Sequence, residues 1–176
     1  MNKKGHPVKY VWNVTQAHVI AYFLAGIFAL VVVNYKDLYA TDSLSLIMRP
    51  TTDPVVALGP ALQIFRGLLL ALAILPLRKA FFEDRRGYLK LGLLMLVFSL
   101  ISTIGPTMGS YDGYIYTTIP ALYQVLGYPE AFLYIVLFIV ILSVSNRFID
   151  KRLPTVVSVI LVCLIVLMSI MGYLFA

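Results

Sequence analysis

The chain has 176 residues, 61% of them apolar and only 12% charged, with a formal net charge of +6. A soluble domain of this size is about half apolar and a quarter charged, so a single small core cannot hold this excess; it falls in long blocks, as in a chain embedded in lipid. The basic residues lie in short clusters between those blocks, which is the placement of a topology signal and not of a nucleic-acid-binding surface.

A basic start at Lys3, Lys4 and Lys9 precedes the first apolar block, 17–35. The block exceeds the core of a signal peptide and more blocks follow, so it reads as a retained first helix that also serves as an uncleaved insertion signal. Tyr10, Trp12, Tyr35 and Tyr39 stand near its ends as interfacial aromatics. Four further blocks follow at 55–77, 88–105, 129–145 and 154–175. Each approaches the ~20 residues that a crossing requires. Pro54, Pro106, Pro129 and Pro154 mark boundaries, where a proline opens a helix without losing a needed N–H or follows a helix end.

Charge orients these blocks. Lys3, Lys4, Lys9, Arg78, Lys79, Arg85, Arg86, Lys90, Arg147, Lys151 and Arg152 make up 11 of the 14 basic residues, and with five crossings they all fall on one side. The opposite side carries Lys36 and Arg49 among Asp37, Asp42, Asp53, Asp112 and Glu130. Positive residues stay cytoplasmic, which places the N-terminus inside and the C-terminus outside. The expected fold is an all-α polytopic transmembrane bundle of about five helices, one transmembrane domain over 1–176. The segment 106–128 is too apolar for a free loop and too broken by Gly113 and Pro120 to span. A re-entrant or interfacial outer segment is its expected form, since irregular backbone at membrane depth must be satisfied by protein or water.

Arg66 makes the sharpest physical demand. It lies eleven residues into the second block, about 16 Å from the outer end at 1.5 Å per residue, near the midplane. An arginine there costs about 3 kcal/mol on insertion scales, so it must face the bundle interior. Gln63 and Gly59 lie on the same helical face, and Gly67 lets a neighbouring helix or ligand come close. Two readings stand open: Arg66 as the cationic floor of an outward cavity that grips a carboxylate or phosphate, or as an internal staple bonded to carbonyls or an acid. Glu130 and Asp112 are the acids that an inward-dipping outer segment would bring toward it; in the simpler reading Glu130 merely complements a helix dipole. The run 109–118 adds turn-forming glycines and hydroxyls, with Tyr114 and Tyr116 suited to a polar head group and equally to an interfacial loop. The candidate ligand-binding set is therefore Arg66, Gln63, Asp112, Tyr114, Tyr116 and Glu130.

His6 and His18 are the only histidines and stand near the cytoplasmic end, which argues against haem; no catalytic triad, metal-ligand cluster or nucleotide motif appears, and Cys163 is a lone thiol in an apolar run. No catalytic residue, metal or cofactor is expected. The stretches Gln63-Ile-Phe-Arg66-Gly67, Gly109-Ser110-x-x-Gly113-x-Ile-Tyr116-Thr117-x-x-Pro120 and Pro129-Glu130 together resemble a group of uncharacterised bacterial multi-pass membrane proteins. That resemblance covers roughly residues 55–140 and implies a bacterial cytoplasmic membrane, with no activity attached. The function expected is a non-enzymatic binding or transport-type subunit for an anionic small molecule or lipid, resident in the bilayer and joined by further copies or partner subunits, without nucleic acid. A membrane enzyme acting on a lipid-linked anionic substrate and a ligand-free assembly protein are the alternatives.

Overall fold

A computed structural model describes residues 7–100 and 108–175, and the described residues are helical with no strand. Four helical stretches are long and apolar enough to cross a membrane: Pro7–Val31, Gly59–Leu77, Ala121–Arg147 and Arg152–Phe175. These make the chain compatible with an integral membrane protein. Helix α1 is Pro7–Val31. The short helices α2 (Tyr35–Tyr39), α3 (Asp42–Ser45) and α4 (Pro54–Ala57) lead into α5 (Gly59–Ile74). Helix α6 (Gly87–Leu100) is apolar and shorter, and the rest of the expected third block, 101–105, lies outside the described residues. Lys3, Lys4, His6, Pro106 and Ala176 lie outside them too. Two one-and-a-half-turn helices, α7 (Tyr111–Tyr116) and α8 (Ala121–Leu126), precede α9 (Tyr128–Arg147) and α10 (Arg152–Phe175).

The first helix differs from expectation. It is already helical at Pro7, the first described residue, ten residues before the expected start at 17. The polar residues that cut the hydropathy block short are buried instead: Asn13, Thr15, Gln16 and His18. Each finds a partner. Asn13 Nδ2 donates to Asn146 Oδ1 at 2.8 Å, Gln16 Nε2 to Ser145 Oγ at 2.6 Å, and Trp12 Nε1 to Ser158 Oγ at 3.0 Å. Thr15 Oγ1 donates back to the Val11 carbonyl. Side-chain hydrogen bonds of this kind hold helices together where lipid supplies no hydrophobic drive between them. α1 is accordingly the central helix, packed on α5, α9 and α10, with α6 packed on α9.

Two contacts gather the basic connections. Lys9 pairs with Asp150 at 3.5 Å, and Tyr10 stacks on Phe82 with ring centroids 5.6 Å apart. The start of α1, the α5–α6 connection and the α9–α10 connection thus share one end of the bundle. In the α5–α6 connection α5 runs on through a turn of 3-10 helix (Leu75–Leu77) and a π-helical turn (Lys79–Glu83). Gly87 is required there, because a Cβ would collide with the Phe81 carbonyl.

At the opposite end the two long connections pack on each other. Ala29, Tyr35, Leu38 and Leu44 form a small core, and Met108, Ile119, Tyr123 and Leu126 close over it. The fully buried Gln124 fixes the second connection. Its Oε1 accepts from Gly109 N at 2.6 Å, while its Nε2 donates to the Gly113 carbonyl at 3.0 Å and to Thr117 Oγ1 at 3.1 Å. Gly109 sits at φ 81°, the left-handed region glycine tolerates. The 108–126 segment is therefore a folded layer against 33–48.

Candidate functional site

Gly67 determines how Arg66 is presented. A Cβ on Gly67 would stand 3.1 Å from the Thr15 carbonyl oxygen and 3.2 Å from His18 Cδ2. α5 thus runs in near-contact with the backbone of α1, and Arg66 and His18 lie at the same depth. His18 is 2% exposed and uses both ring nitrogens. Nε2 lies 3.0 Å from Gln63 Oε1 and Nδ1 lies 2.6 Å from the Tyr134 hydroxyl. The Gln63 amide is oriented by its own Nε2, which donates to the Gly59 carbonyl at 3.4 Å. An amide oxygen only accepts, so His18 carries its hydrogen on Nε2, and in the neutral ring Nδ1 accepts from Tyr134. This chain of bonds fixes the Tyr134 ring, which meets His18 edge-on at 5.5 Å.

Two cavities meet here. One, of about 1010 Å³, lies under the layer formed by the two long connections. Five of the chain's 12 tyrosines line it: Tyr22, Tyr35, Tyr39, Tyr116 and Tyr134. Arg66 and Glu130 line it as well. The other, of about 780 Å³, is a groove between α5 and α6. His18, Arg66, Ser99 and Tyr134 belong to both walls.

The charges in the first cavity are not matched to each other. Glu130, in the first turn of α9, accepts from the Tyr35 hydroxyl at 2.5 Å. The ion pairs among the described residues are Lys9–Asp150, Arg49–Asp53 and Lys90–Asp84. Arg66 is in none of them, and among the described residues it has no hydrogen bond either. Its side chain is exposed to the cavity. Among the described residues neither a carbonyl nor a carboxylate holds the guanidinium as an internal staple would. A cation without a protein partner is met there by water or by an anionic group.

The tyrosines of α2 stay protonated. Burial raises the Tyr35 phenol far above its usual value, and its hydrogen bond to Glu130 raises it further; burial and the Glu130 charge raise Tyr39 in the same direction. They are neutral donors at physiological pH. On the neighbouring connection Asp53 is held below the usual carboxylate range, first by Arg49 and then by the Val55 N–H at the start of α4.

Of the residues expected from sequence, Arg66, Tyr116 and Glu130 share the tyrosine-lined cavity. Gln63 stands behind it, holding His18. Asp112 and Tyr114, on α7, line neither cavity. The sequence reading missed His18 because it began the first helix too late and so placed this histidine near a helix end. Tyr22 and Tyr134 stood in apolar blocks with nothing in the pattern to separate them from packing residues. Among the described residues no group of three His, Cys, Asp or Glu side chains is placed to hold a metal. No family model matches the chain, and no curated protein or solved structure is significantly similar to it.

Proposed function

We propose that this is a multi-pass protein of the bacterial cytoplasmic membrane that binds an anionic ligand at Arg66, in a cavity facing outward, as a binding or transport-type subunit. The observation that carries the reading is the unpaired guanidinium of Arg66 at the junction of two cavities. Its planar fork suits bidentate capture of a carboxylate or phosphate, and the tyrosine hydroxyls above it are donors and acceptors for the rest of a head group. The basic clusters at one end of the bundle, with the positive-inside rule, support a reading of five crossings, α6 as the fifth, and a cytoplasmic N-terminus. The segment 108–126 is then an outer layer dipping toward the cavity. Five helices are few for a self-contained alternating-access transporter, so transport needs a second copy or a partner subunit.

Enzyme chemistry is the second reading, favoured by Glu130 sharing the cavity with Arg66. It is weaker, because Glu130 is already engaged by Tyr35 and both His18 nitrogens are bonded. A ligand-free assembly role leaves the unpaired Arg66 without a reason.

The test compares wild type, Arg66→Leu and Arg66→Lys reconstituted in nanodiscs of zwitterionic lipid, with ethyl phosphate and acetate as probes. Binding to the wild type, lost in Arg66→Leu and reduced at least tenfold in Arg66→Lys while all three insert and fold, supports the reading. Equal behaviour of wild type and Arg66→Leu sinks it. Orientation is read separately in a Cys163→Ser background: cysteines at positions 42 and 112 should react with an impermeant thiol reagent in intact cells, and those at 86 and 151 should not.

A further inference from the structure

The groove between α5 and α6 has a distribution of polarity that the tyrosine-lined cavity alone does not explain. Ten of its lining side chains are apolar and four are polar, and the four polar ones are His18, Arg66, Ser99 and Tyr134, all shared with the tyrosine-lined cavity. Polarity is thus confined to one end. Away from that end, Leu69 and Ala73 of α5 and Leu77 of the 3-10 turn line the groove with Leu91, Leu94 and Phe98 of α6. α5 packs on α1 and α6 on α9, which holds the two groove walls apart. Leu69, Leu77 and Phe98 remain half-exposed, so the groove opens sideways. From Arg66 to Leu77 it runs along the rest of α5 and the 3-10 turn that continues it, about 16 Å at ~1.5 Å per residue, which matches the ~15 Å of one leaflet's hydrocarbon.

We infer that the ligand is an anionic amphiphile, with its carboxylate or phosphate head on Arg66 beneath the tyrosines and one alkyl or prenyl chain in the α5–α6 groove. The inference rests on Arg66 as the anion site and adds the class of ligand. Two observations specify this occupant. The cation at one end of the groove, without a protein partner among the described residues, suits an anion, and the lining side chains beyond it are all apolar and offer nothing to a soluble anion. A bulk zwitterionic lipid supplies the chain without a net charge for Arg66, and a small anion supplies the charge and leaves the groove unfilled. The four shared residues make the two compartments one site for a molecule with both parts.

The experiment separates this from the anion site itself. Dodecyl phosphate, dodecanoate, ethyl phosphate and acetate are titrated into the full chain in zwitterionic nanodiscs, for wild type, Ala73→Phe, Leu94→Phe and Arg66→Leu. Ala73 and Leu94 are exposed in the groove, so a larger side chain fills it without entering the core. Wild type should bind the dodecyl probes at least 100-fold more tightly than the two-carbon ones. Either groove variant should lose tenfold or more of that difference while keeping its ethyl phosphate or acetate affinity, and Arg66→Leu should lose all four. The stronger of the two dodecyl arms then tells a phosphate head from a carboxylate. Equal affinity for long and short probes, or chain dependence untouched by both groove variants, overturns the amphiphile and leaves the anion site standing. A change from oligomer to monomer in Ala73→Phe without any change in dodecyl binding overturns it too, because a second copy then fills the groove. Failure of Arg66→Leu to alter any binding removes the anion site and the amphiphile together.

Discussion

Replacing Gln124 by leucine tests whether the layer over the cavity is held by one side chain. Leucine has a similar size and keeps the site filled, so the change isolates the hydrogen bonds. Three are lost, to Gly109 N, the Gly113 carbonyl and Thr117 Oγ1. The Gly113 carbonyl still accepts from Thr117 N and Thr117 Oγ1, at 3.3 and 2.6 Å. The buried Gly109 N–H is the group left without its acceptor. At about 1 kcal/mol per bond, with the larger cost at the orphaned donor, the layer loses about 3 kcal/mol. Each 1.4 kcal/mol is a factor of ten, so local opening becomes about 100-fold more frequent. Hydrogen–deuterium exchange of peptides covering 108–126, in nanodiscs, should accelerate by that factor, while α1 and α9 exchange as before. Leu122→Ala, on the exposed side of α8, is the control and should change little. Unchanged exchange in Gln124→Leu would refute the idea that this glutamine organises the layer.

Gly67→Val should weaken the α1–α5 contact by about 2 kcal/mol, because its Cβ already meets backbone that cannot move aside, and a valine adds two more methyl groups. Gly26→Ala, where a Cβ meets nothing within 4 Å, should be neutral or stabilising by up to ~1 kcal/mol; equal stability of the two variants in a denaturing-detergent titration contradicts the packing. The tyrosines of α2 give a pH prediction. Their folded phenols are raised above the ordinary 10.0, so their contribution to stability is full below that pH and is lost progressively as pH climbs from there to the higher folded value. Tyrosinate absorbance rising between pH about 9.5 and 11 should therefore have the same amplitude in wild type and in the Tyr35→Phe, Tyr39→Phe double variant. Loss of two tyrosines' share of that amplitude would show that these phenols titrate normally.

Composition and block length were enough to read a helical membrane protein, because lipid leaves the backbone few other ways to satisfy its hydrogen bonds. The cost of a charge in lipid singled out Arg66 as a candidate, since a charge within an apolar block is driven away from lipid whatever the fold. Hydropathy failed on α1, and for a physical reason. It counts Asn13, Gln16 and His18 as polar and stops, although these residues are buried once Asn146, Ser145, Tyr134 and Gln63 arrive from helices distant in sequence. The tertiary structure alone set three things. It showed that Glu130 is engaged by Tyr35 and not by Arg66. It brought tyrosines from α1, α2 and α9 and the α7–α8 layer to one wall. It also opened an apolar groove leading away from Arg66. A linear pattern reports which residues avoid lipid; which of them meet depends on the close approach of α5 to α1 at Gly67, where a single missing Cβ sets the spacing of the helices.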